Sequence, residues 1–375
     1  MRTPARRPAR ALAGLTAAAL LVAACGNDGP EGASATASPE RAPVDELTAR
    51  QAVGAVDASP PDVDLSMHDV PLAEVVFDTF DGGFVRLSES DRDTRRRLLD
   101  VIRPIDLPPY DDLAADPSAG AWLRPDDLVV GYIADGTPIA YPVKILNGHE
   151  IVNDELAGTA VLVTYCPLCH SAVVYDRRLP DGQLLTFSNT SALHDSDMVM
   201  VDRETGSYWW QVAGRAIVGE LTGAELATLP SEMATWSDWL ERHPDTLVLS
   251  RDLGFGRNYE RNSFAGYEER VAEGRFAFPV GDAAFDDRLP LAELVVVVEL
   301  GDQVVAYAVD DLDQPLDDDV DGFGIRVTPH AGGASVVAID GDGDGEPGEP
   351  IPSRTAFWFS VAGAFPDVEV RGDDG

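Results

Sequence analysis

The sequence predicts a mainly β protein, a β-rich α+β fold with two related β-sheet units and few short helices. Three observations lead to this class. Short apolar runs recur between turn-forming residues along the body of the chain, as in strands joined by hairpins. Only two or three segments carry helix start and stop signals. One stretch of the first half recurs in the second half, which indicates an internal repeat.

Turn signals separate most of the predicted strands. Asp135-Gly136 is the clearest, because this dipeptide between two apolar runs is typical of a tight hairpin turn. A later apolar run leads directly into a pair of cysteines, and the next one leaves it. The predicted strands are residues 128–133, 139–143, 160–165, 172–176, 183–187, 198–202 and 207–211.

Two helices are predicted from their boundary residues. Residues 91–102 form a short polar segment that stops before Pro104. Thr235 is expected to cap a second helix, which ends before Pro244. Threonine is a favoured cap because its hydroxyl accepts a hydrogen bond from a free backbone N–H of the first turn.

A weak repeat links the two halves of the chain. Residues 128–143 align with residues 294–309 at a constant offset. Residues 158–163 also resemble residues 333–338. The second copy lacks cysteines, so we expect an active first unit and a structural second unit.

The N-terminus has the features of a bacterial lipoprotein signal peptide. Four arginines flank the start of an apolar run at residues 11–24, which is too short for a membrane-spanning helix. The run ends in Ala23-Ala24-Cys25, which resembles a lipobox, so Cys25 is the expected lipidation site. We therefore expect a cell-envelope protein anchored to the outer face of the cytoplasmic membrane. The expected organisation is a signal peptide at 1–24, a lipid anchor and disordered linker at 25–60, a CxxC-containing β-rich domain at 61–250 and a second β-rich repeat unit with acidic loops at 251–375.

The formal net charge of −37 excludes one class of partner. A nucleic-acid backbone needs neutralising Lys or Arg, so no nucleic-acid partner is expected. The acidity is typical of a solvated surface. We expect a monomer whose predicted partner is the membrane, reached through Cys25; the sequence identifies no protein partner.

Cys166 and Cys169 are the cysteines that remain once Cys25 is used as an anchor. Two thiols at this spacing can chelate a soft metal ion or close a small disulfide. Copper and zinc both accept thiolate and imidazole ligands. The candidate metal ligands are Cys166, Cys169, His149, His170 and His194, with Glu150 and Asn153 as residues that orient the imidazole of His149.

Three alternatives to a copper or zinc site stay open. A thiol–disulfide oxidoreductase would use the pair for exchange, although a strand after the motif does not favour a thioredoxin-like arrangement. A binding module would carry the pair as a structural disulfide. The stretch Cys166–His170 also matches the pattern for covalent haem, which its β-strand context disfavours.

A possible calcium loop lies in the second half. Asp340, Asp342 and Asp344 alternate before a glycine, as at the start of a calcium-binding loop, and Glu346 could add an oxygen ligand. Ile351 stands where a complete loop has glutamate, so an acidic solvated turn is the competing interpretation.

A combination of short motifs marks the chain, at residues 140–142, 149–154, 164–169, 202–205, 210–211, Trp236, Trp239 and 243–246. Through these motifs the chain resembles the bacterial and archaeal family called "domain of unknown function 3179". The resemblance is close over residues 100–250 and looser up to residue 365. It implies that His149, Cys166 and Cys169 belong together, and it implies no established reaction. His170 departs from the family pattern, in which a small or polar residue is common.

Overall fold

Strands supply most of the regular structure. The computed structural model describes residues 59–339 and 348–372, all within one compact unit, Val44–Gly375. In this described part no α-helix is longer than seven residues, so the mainly β prediction is confirmed. The helices are α1 (Arg92–Leu98), α2 (Val143–His149), α3 (Trp236–Arg242), α4 (Tyr267–Ala272) and α5 (Trp358–Ala364), with 3₁₀ turns at Leu87–Glu89, Asp282–Phe285 and Val309–Asp311.

Tight turns join many consecutive strands. Asp135 and Gly136 both have positive φ, 46° and 78°, as a type I′ hairpin turn requires. The strands are β1 (Val76–Asp78), β2 (Phe84–Arg86), β3 (Ile105–Asp106), β4 (Tyr110–Asp112), β5 (Leu128–Ala134), β6 (Thr137–Pro142), β7 (Ile151–Leu156), β8 (Thr159–Cys166), β9 (Ser171–Asp176), β10 (Phe187–His194), β11 (Asp197–Asp202), β12 (Tyr208–Trp210), β13 (Arg215–Val218), β14 (Ala227–Thr228), β15 (Ser231–Thr235), β16 (Leu247–Leu249), β17 (Leu294–Leu300), β18 (Gln303–Ala308), β19 (Leu316–Val320), β20 (Phe323–His330), β21 (Gly333–Ala338), β22 (Ser353–Phe357) and β23 (Glu369–Arg371).

The same succession of elements occurs twice. The first repeat consists of hairpin β5–β6, helix α2, meander β7–β8–β9 and the unit β15–α3–β16. The second consists of hairpin β17–β18, a 3₁₀ turn, meander β19–β20–β21 and the unit β22–α5–β23. In each repeat the hairpin takes one antiparallel and one parallel neighbour from the later unit. Strands β5 and β6 match β17 and β18 at the offset predicted from the sequence.

The second predicted alignment joins strands that do not correspond. Residues 158–163 lead into β8, the middle strand of its meander, whereas residues 333–338 are β21, the last strand of its own. By order along the chain, β8 corresponds to β20, and both strands have eight residues. A glycine turn followed by small and β-branched residues occurs at several hairpins, so a match of six residues does not distinguish them.

The two repeats share one sheet and exchange turn contacts. β9 pairs with β22 at Ala172 and Thr355, which joins strands of both repeats into a nine-stranded sheet. The N–H of Phe357, at the start of α5, donates to the carbonyl of Cys169 at 2.9 Å. The N–H of Thr235, at the start of α3, donates to the carbonyl of Ala331 at 2.7 Å. Each meander turn therefore contacts the helix start of the other repeat.

The first repeat carries an insertion, β10 to β14, between its meander and β15. Strands β10 to β13 join β1 and β2 in a six-stranded sheet of order β13-β12-β11-β10-β1-β2. The β10–β11 turn has positive φ at Asp195 (49°) and Ser196 (59°), which again suits a tight hairpin. This hairpin places Asp197 next to the cysteine-bearing turn.

Helix packing differs between the repeats in side-chain size. Trp239 of α3 lies so close to β5 that a Cβ built on Gly131 would be 2.1 Å from its ring. In the second repeat the equivalent positions, by offset and by distance from the helix start, are Val361 and Val297, both buried in the same apolar cluster. Tryptophan packed against glycine in the first repeat thus occupies a similar space to two valines in the second.

The helix predictions are confirmed in existence, and one boundary is corrected. The Thr235 hydroxyl accepts from Asp238 N at 3.4 Å and caps α3. Helix α1 ends at Leu98, earlier than the predicted residue 102. In the described residues we find no helix long and apolar enough to cross a membrane. The predicted signal peptide, Cys25 and the linker up to residue 58 lie outside those residues.

Candidate metal centre

The cysteine pair lies on the turn between β8 and β9. Cys166 is the last residue of β8 and pairs with Ser171, the first residue of β9. His170 closes the turn with a φ of 51°. Both cysteines are free thiols, and they are 2% and 0% exposed. The turn therefore folds both sulfur atoms inward, into an apolar cluster.

A buried carboxylate contacts this pair. The Cys169 thiol donates to Asp197 Oδ1 at 2.8 Å, and Val212 N donates to Asp197 Oδ2 at 2.8 Å. One ligand atom from each of Cys166, Cys169 and Asp197 lies within 4.8 Å of the others. Among the Cys, His, Asp and Glu side chains of the described residues, this is the group of three close enough to hold a metal ion.

The pKa values of all three groups are raised in the metal-free protein. Burial raises the pKa of Asp197 to about 6. Burial also raises the pKa of Cys166, and that of Cys169 well above its ordinary value, and the charge of Asp197 adds to both shifts. Water is excluded, so each negative charge lacks solvation. A cation among the three groups would supply that missing stabilisation.

A chain of buried hydrogen bonds fixes the cysteine turn. The Sγ of Cys169 is 3.0 Å from Ser171 Oγ, and Ser171 Oγ donates to Gln211 Oε1. Gln211 Nε2 donates to Thr164 Oγ1 at 2.7 Å, and this hydroxyl donates to the Val173 carbonyl at 2.8 Å. The chain connects the insertion to β8 and β9 and holds the thiols in one arrangement.

Glu150 brings a second carboxyl group close to the thiols. It caps α2 in the left-handed region, with a φ of 60°, and its Oε2 accepts from Asn189 Nδ2 at 2.7 Å. Burial raises the pKa of Glu150 to about 8, and the charge of Asp197 adds to this shift. The charge of Glu150 in turn raises the pKa of Cys166. Glu150 was predicted to orient His149, but its carboxylate bonds Asn189 instead.

His149 lies outside the group of three. Its Nδ1 is 2.7 Å from the carbonyl of Arg103, and its Nε2 is 2.9 Å from the Tyr259 hydroxyl. Burial lowers the pKa of His149 to about 4. Both ring nitrogens are thus engaged with other partners. Asn153, the other predicted orienting residue, bonds the backbone N and O of Phe187 instead.

The other two candidate histidines also lie outside the group. His170 stacks on Phe357 with ring centroids 4.9 Å apart, and its Nδ1 is 3.2 Å from the Tyr165 hydroxyl. Burial lowers its pKa to about 4. His194 packs edge-on against Trp210, with centroids 4.4 Å apart. Both histidines were candidates because they are close to the cysteines in sequence. In the structure their rings contact aromatic neighbours instead.

A cavity of about 400 Å³ lies beside the cysteine turn. Its lining includes Tyr165, Pro167 and His170 of the turn region, and Tyr267 of α4. Neither cysteine lines it. The thiols are therefore close to this cavity but are covered by a layer of side chains.

Asp197 is the main site residue that the sequence did not reveal. It lies far along the chain from the cysteines, in a hairpin where His194 was the candidate. The available signal was that Asp197 begins a strand of alternating Met and Val residues. Gln211 and Thr164 belong to the motifs of the family resemblance, and the structure gives them a shared role in the hydrogen-bond chain. Asp340, Asp342, Asp344 and Glu346, the possible calcium ligands, lie outside the described residues.

The fold and the site together define a class: a duplicated, β-rich domain with a buried dithiol–carboxylate cluster at the meander turn of its first repeat. The chain matches, over residues 99–368, the family described as "Protein of unknown function (DUF3179)", and it belongs to that family. No curated protein and no solved structure matches the chain.

Proposed function

We propose that the protein binds one transition-metal ion through Cys166, Cys169 and Asp197 and serves in metal handling at the cell envelope. The observation that carries the proposal is the buried carboxylate 2.8 Å from Cys169. Zinc accepts sulfur and carboxylate oxygen together, whereas copper(I) prefers soft ligands alone. Carboxylate in place of the expected imidazole therefore favours zinc.

The carboxylate argues against a purely structural disulfide. Oxidation of the pair would remove the thiol proton that Cys169 donates to Asp197. Asp197 is 0% exposed, so its carboxylate would then lose a hydrogen-bond donor that water cannot replace. A buried acceptor without its donor costs about 1–3 kcal/mol. A metal ion would instead satisfy that oxygen directly.

Burial and thiol acidity argue against exchange with a protein disulfide. An attacking cysteine is accessible and has a lowered pKa. Here both thiols are buried and both pKa values are raised. An ion is small enough to reach such a pair after a limited opening, whereas a protein disulfide is not.

Three protein ligands leave one position of a tetrahedral site for Glu150 or a water molecule. Binding requires the deprotonated forms of two thiols and one carboxyl group, and the pKa values of all three groups are raised. Affinity should therefore increase with pH. An anchor at Cys25 would hold the centre outside the cytoplasm, where a bound ion would also protect the thiols from oxidation.

The test is metal content and the state of both thiols on one sample of the full chain, purified without chelator. We expect about one zinc per chain, and reduced Cys166 and Cys169 by peptide mass spectrometry. Cys166→Ser and Asp197→Asn should lose the zinc. Asp202→Asn is the matched control, because Asp202 is a buried aspartate of the same strand that bonds Trp209 and Thr205 instead. It should retain the metal.

Two results would overturn the proposal. Unchanged zinc content in Cys166→Ser would place the ion elsewhere. Absence of metal together with an oxidised pair in the native protein would favour the disulfide alternatives, and a measured reduction potential would then separate a redox enzyme from a structural disulfide.

A further inference from the structure

Residues 250–293 form a long connection between the two repeats, from β16 to β17. We call this stretch the crossover segment. It contains only α4 and the 3₁₀ turn at Asp282–Phe285, and none of its residues, all of which are described, belongs to a strand. The segment is therefore held by side-chain packing and isolated hydrogen bonds, not by a sheet ladder.

The crossover segment covers the cysteine pair. Its buried apolar residues are Tyr267, Val271 and Ala284, and all three lie in the same apolar cluster as Cys166 and Cys169. The segment also forms one wall of the cavity beside the turn, which Tyr259, Phe264 and Tyr267 line. The segment therefore supplies part of the apolar packing that excludes water from the thiols.

Polar contacts fasten the segment around this cover. Arg257 Nη1 donates to the Gly148 carbonyl at 2.6 Å, and Gly281 N donates to Asp195 Oδ1 at 2.7 Å. Glu260 is 3.3 Å from the Lys144 ammonium group. These contacts lie on both sides of α4, so they fix the segment before and after the residues that cover the thiols.

The hydrogen bond between Tyr259 and His149 is the contact best suited to act as a latch. Nδ1 of His149 lies 2.7 Å from a carbonyl oxygen, so it carries the ring proton. Nε2 is then an acceptor, and it receives the Tyr259 hydroxyl proton at 2.9 Å. A histidine at the end of α2, on the rigid part of the fold, thus holds a tyrosine of the segment.

We propose that the crossover segment is a cover that opens as a unit to admit and release the metal ion, with Tyr259–His149 as its latch. This rests on the proposed metal-binding function and describes the regulation of access to that site. Both thiols are buried, so an ion reaches them only if some part of the protein moves. Opening of the segment breaks no strand pairing, because none of its residues belongs to a strand. Elements of this kind open at a lower free energy than the global fold.

The test is thiol labelling of the full, reduced, metal-free chain with N-ethylmaleimide, read at Cys166 and Cys169 by peptide mass spectrometry. Tyr259→Phe removes the latch hydroxyl and keeps the ring. We expect labelling about two- to thirteenfold faster, since a neutral hydrogen bond contributes about 0.5–1.5 kcal/mol. Tyr307→Phe is the control, because it removes the bond to Asp318 in the second repeat. It should label at the wild-type rate.

Labelling of the wild-type protein at increasing urea provides an independent test that needs no variant. Opening of the segment exposes little surface, so the rate should change little below the unfolding transition. A rate with the full urea dependence of global unfolding would overturn the proposal, as would equal rates in the two tyrosine variants. The assay contains no metal, so a failure of zinc binding would be seen separately, in the metal content.

Discussion

The equivalent turn of the two repeats carries different side chains and has different neighbours. Strands β8 and β20 both have eight residues, so Cys166 and His330 occupy equivalent final positions. Four residues separate Cys166 from its strand partner Ser171, whereas two separate His330 from Gly333. The first repeat also has the insertion that supplies Asp197. The candidate site thus arises from a longer turn and an inserted hairpin on a duplicated scaffold.

The turn of the second repeat lies beside an ion pair of the first repeat, between Glu232 of β15 and Arg242 of α3. His330 Nε2 is 3.4 Å from Glu232, and Arg242 contacts the same carboxylate at 2.5 Å. Burial favours the neutral acid, but the contacts with His330 and Arg242 hold the pKa of Glu232 below its usual value. One buried carboxyl group thus lies beside the thiols of the first repeat's turn and another beside the turn of the second, and their pKa values shift in opposite directions.

The largest effect is expected from a variant that removes one side of the packing difference between the repeats. Gly131→Val copies Val297 of the second repeat into β5, where a Cβ would meet the Trp239 ring at 2.1 Å. We expect the free energy of unfolding to decrease by about 3 kcal/mol or more from overpacking. The measurement is urea-induced unfolding of the purified variant.

The double variant Gly131→Val/Trp239→Val provides the control, because it transplants the complete valine pair. The two changes should be less than additive, with a coupling of about 1–3 kcal/mol. Additive losses would show that the helix does not pack alike in the two repeats.

The next effect concerns Asp197, whose carboxyl group contacts Cys169, and the pH dependence of the free energy of unfolding. The folded-state pKa of Asp197, about 6, exceeds the ordinary aspartate value of 3.8, so its contribution to stability is complete below pH 4 and is lost as pH rises through 6. The difference of 2.2 pKa units (6 − 3.8) corresponds to about 3 kcal/mol. We expect metal-free Asp197→Asn to lose this part of the pH dependence in urea unfolding between pH 4 and 7. An identical pH slope in the variant would contradict the burial argument.

The carboxyl group of Glu232, which lies in β15 beside the turn of the second repeat, should behave in the opposite sense. A lowered folded-state pKa gives Glu232 a contribution that is present above pH 4.5 and lost as pH falls. Glu232→Gln should therefore reduce the loss of stability on acidification, measured as the shift of the thermal midpoint between pH 6 and pH 3. A midpoint shift equal to that of the wild type would show that Glu232 does not depend on its cationic neighbours.

The smallest effect is expected at the residues that precede α3 and α5, where the two repeats differ in side-chain capping. Thr235 caps α3 through its hydroxyl, whereas Phe357 at the equivalent position has no side-chain oxygen. Thr235→Ala should cost about 1 kcal/mol, and Phe357→Ala should act through lost stacking on His170 instead. Urea unfolding of Thr235→Ser, expected to be close to wild type, separates the hydroxyl from the methyl group.

The sequence predicted the fold better than the site because the fold depends on local patterns. Hairpin residues such as Asp135-Gly136 and the cap at Thr235 act on their immediate neighbours. The constant offset between β5–β6 and β17–β18 followed from the residues alone. The second alignment paired β8 with β21 instead of β20. A match of six residues that begins with glycine carries no information about strand order.

The site could be predicted only as far as its local part. Cys166 and Cys169 belong to one turn, so their spacing identified them. Asp197 reaches the thiols through the pairing of an inserted hairpin, and no local pattern encodes that pairing. His149 was chosen as a ligand by residue type, but the direction of α2 carries its ring toward Arg103 and Tyr259.

The bond from Phe357 to the Cys169 carbonyl also sets the order in which the molecule is completed. A ribosome adds roughly 5–20 residues per second. The thiols therefore emerge on the order of ten seconds before the strand that closes over their turn. During this interval the pair is on an incomplete chain and is open to oxidants and to ions. Burial of the pair is thus a property that the chain acquires only when its second half has been made.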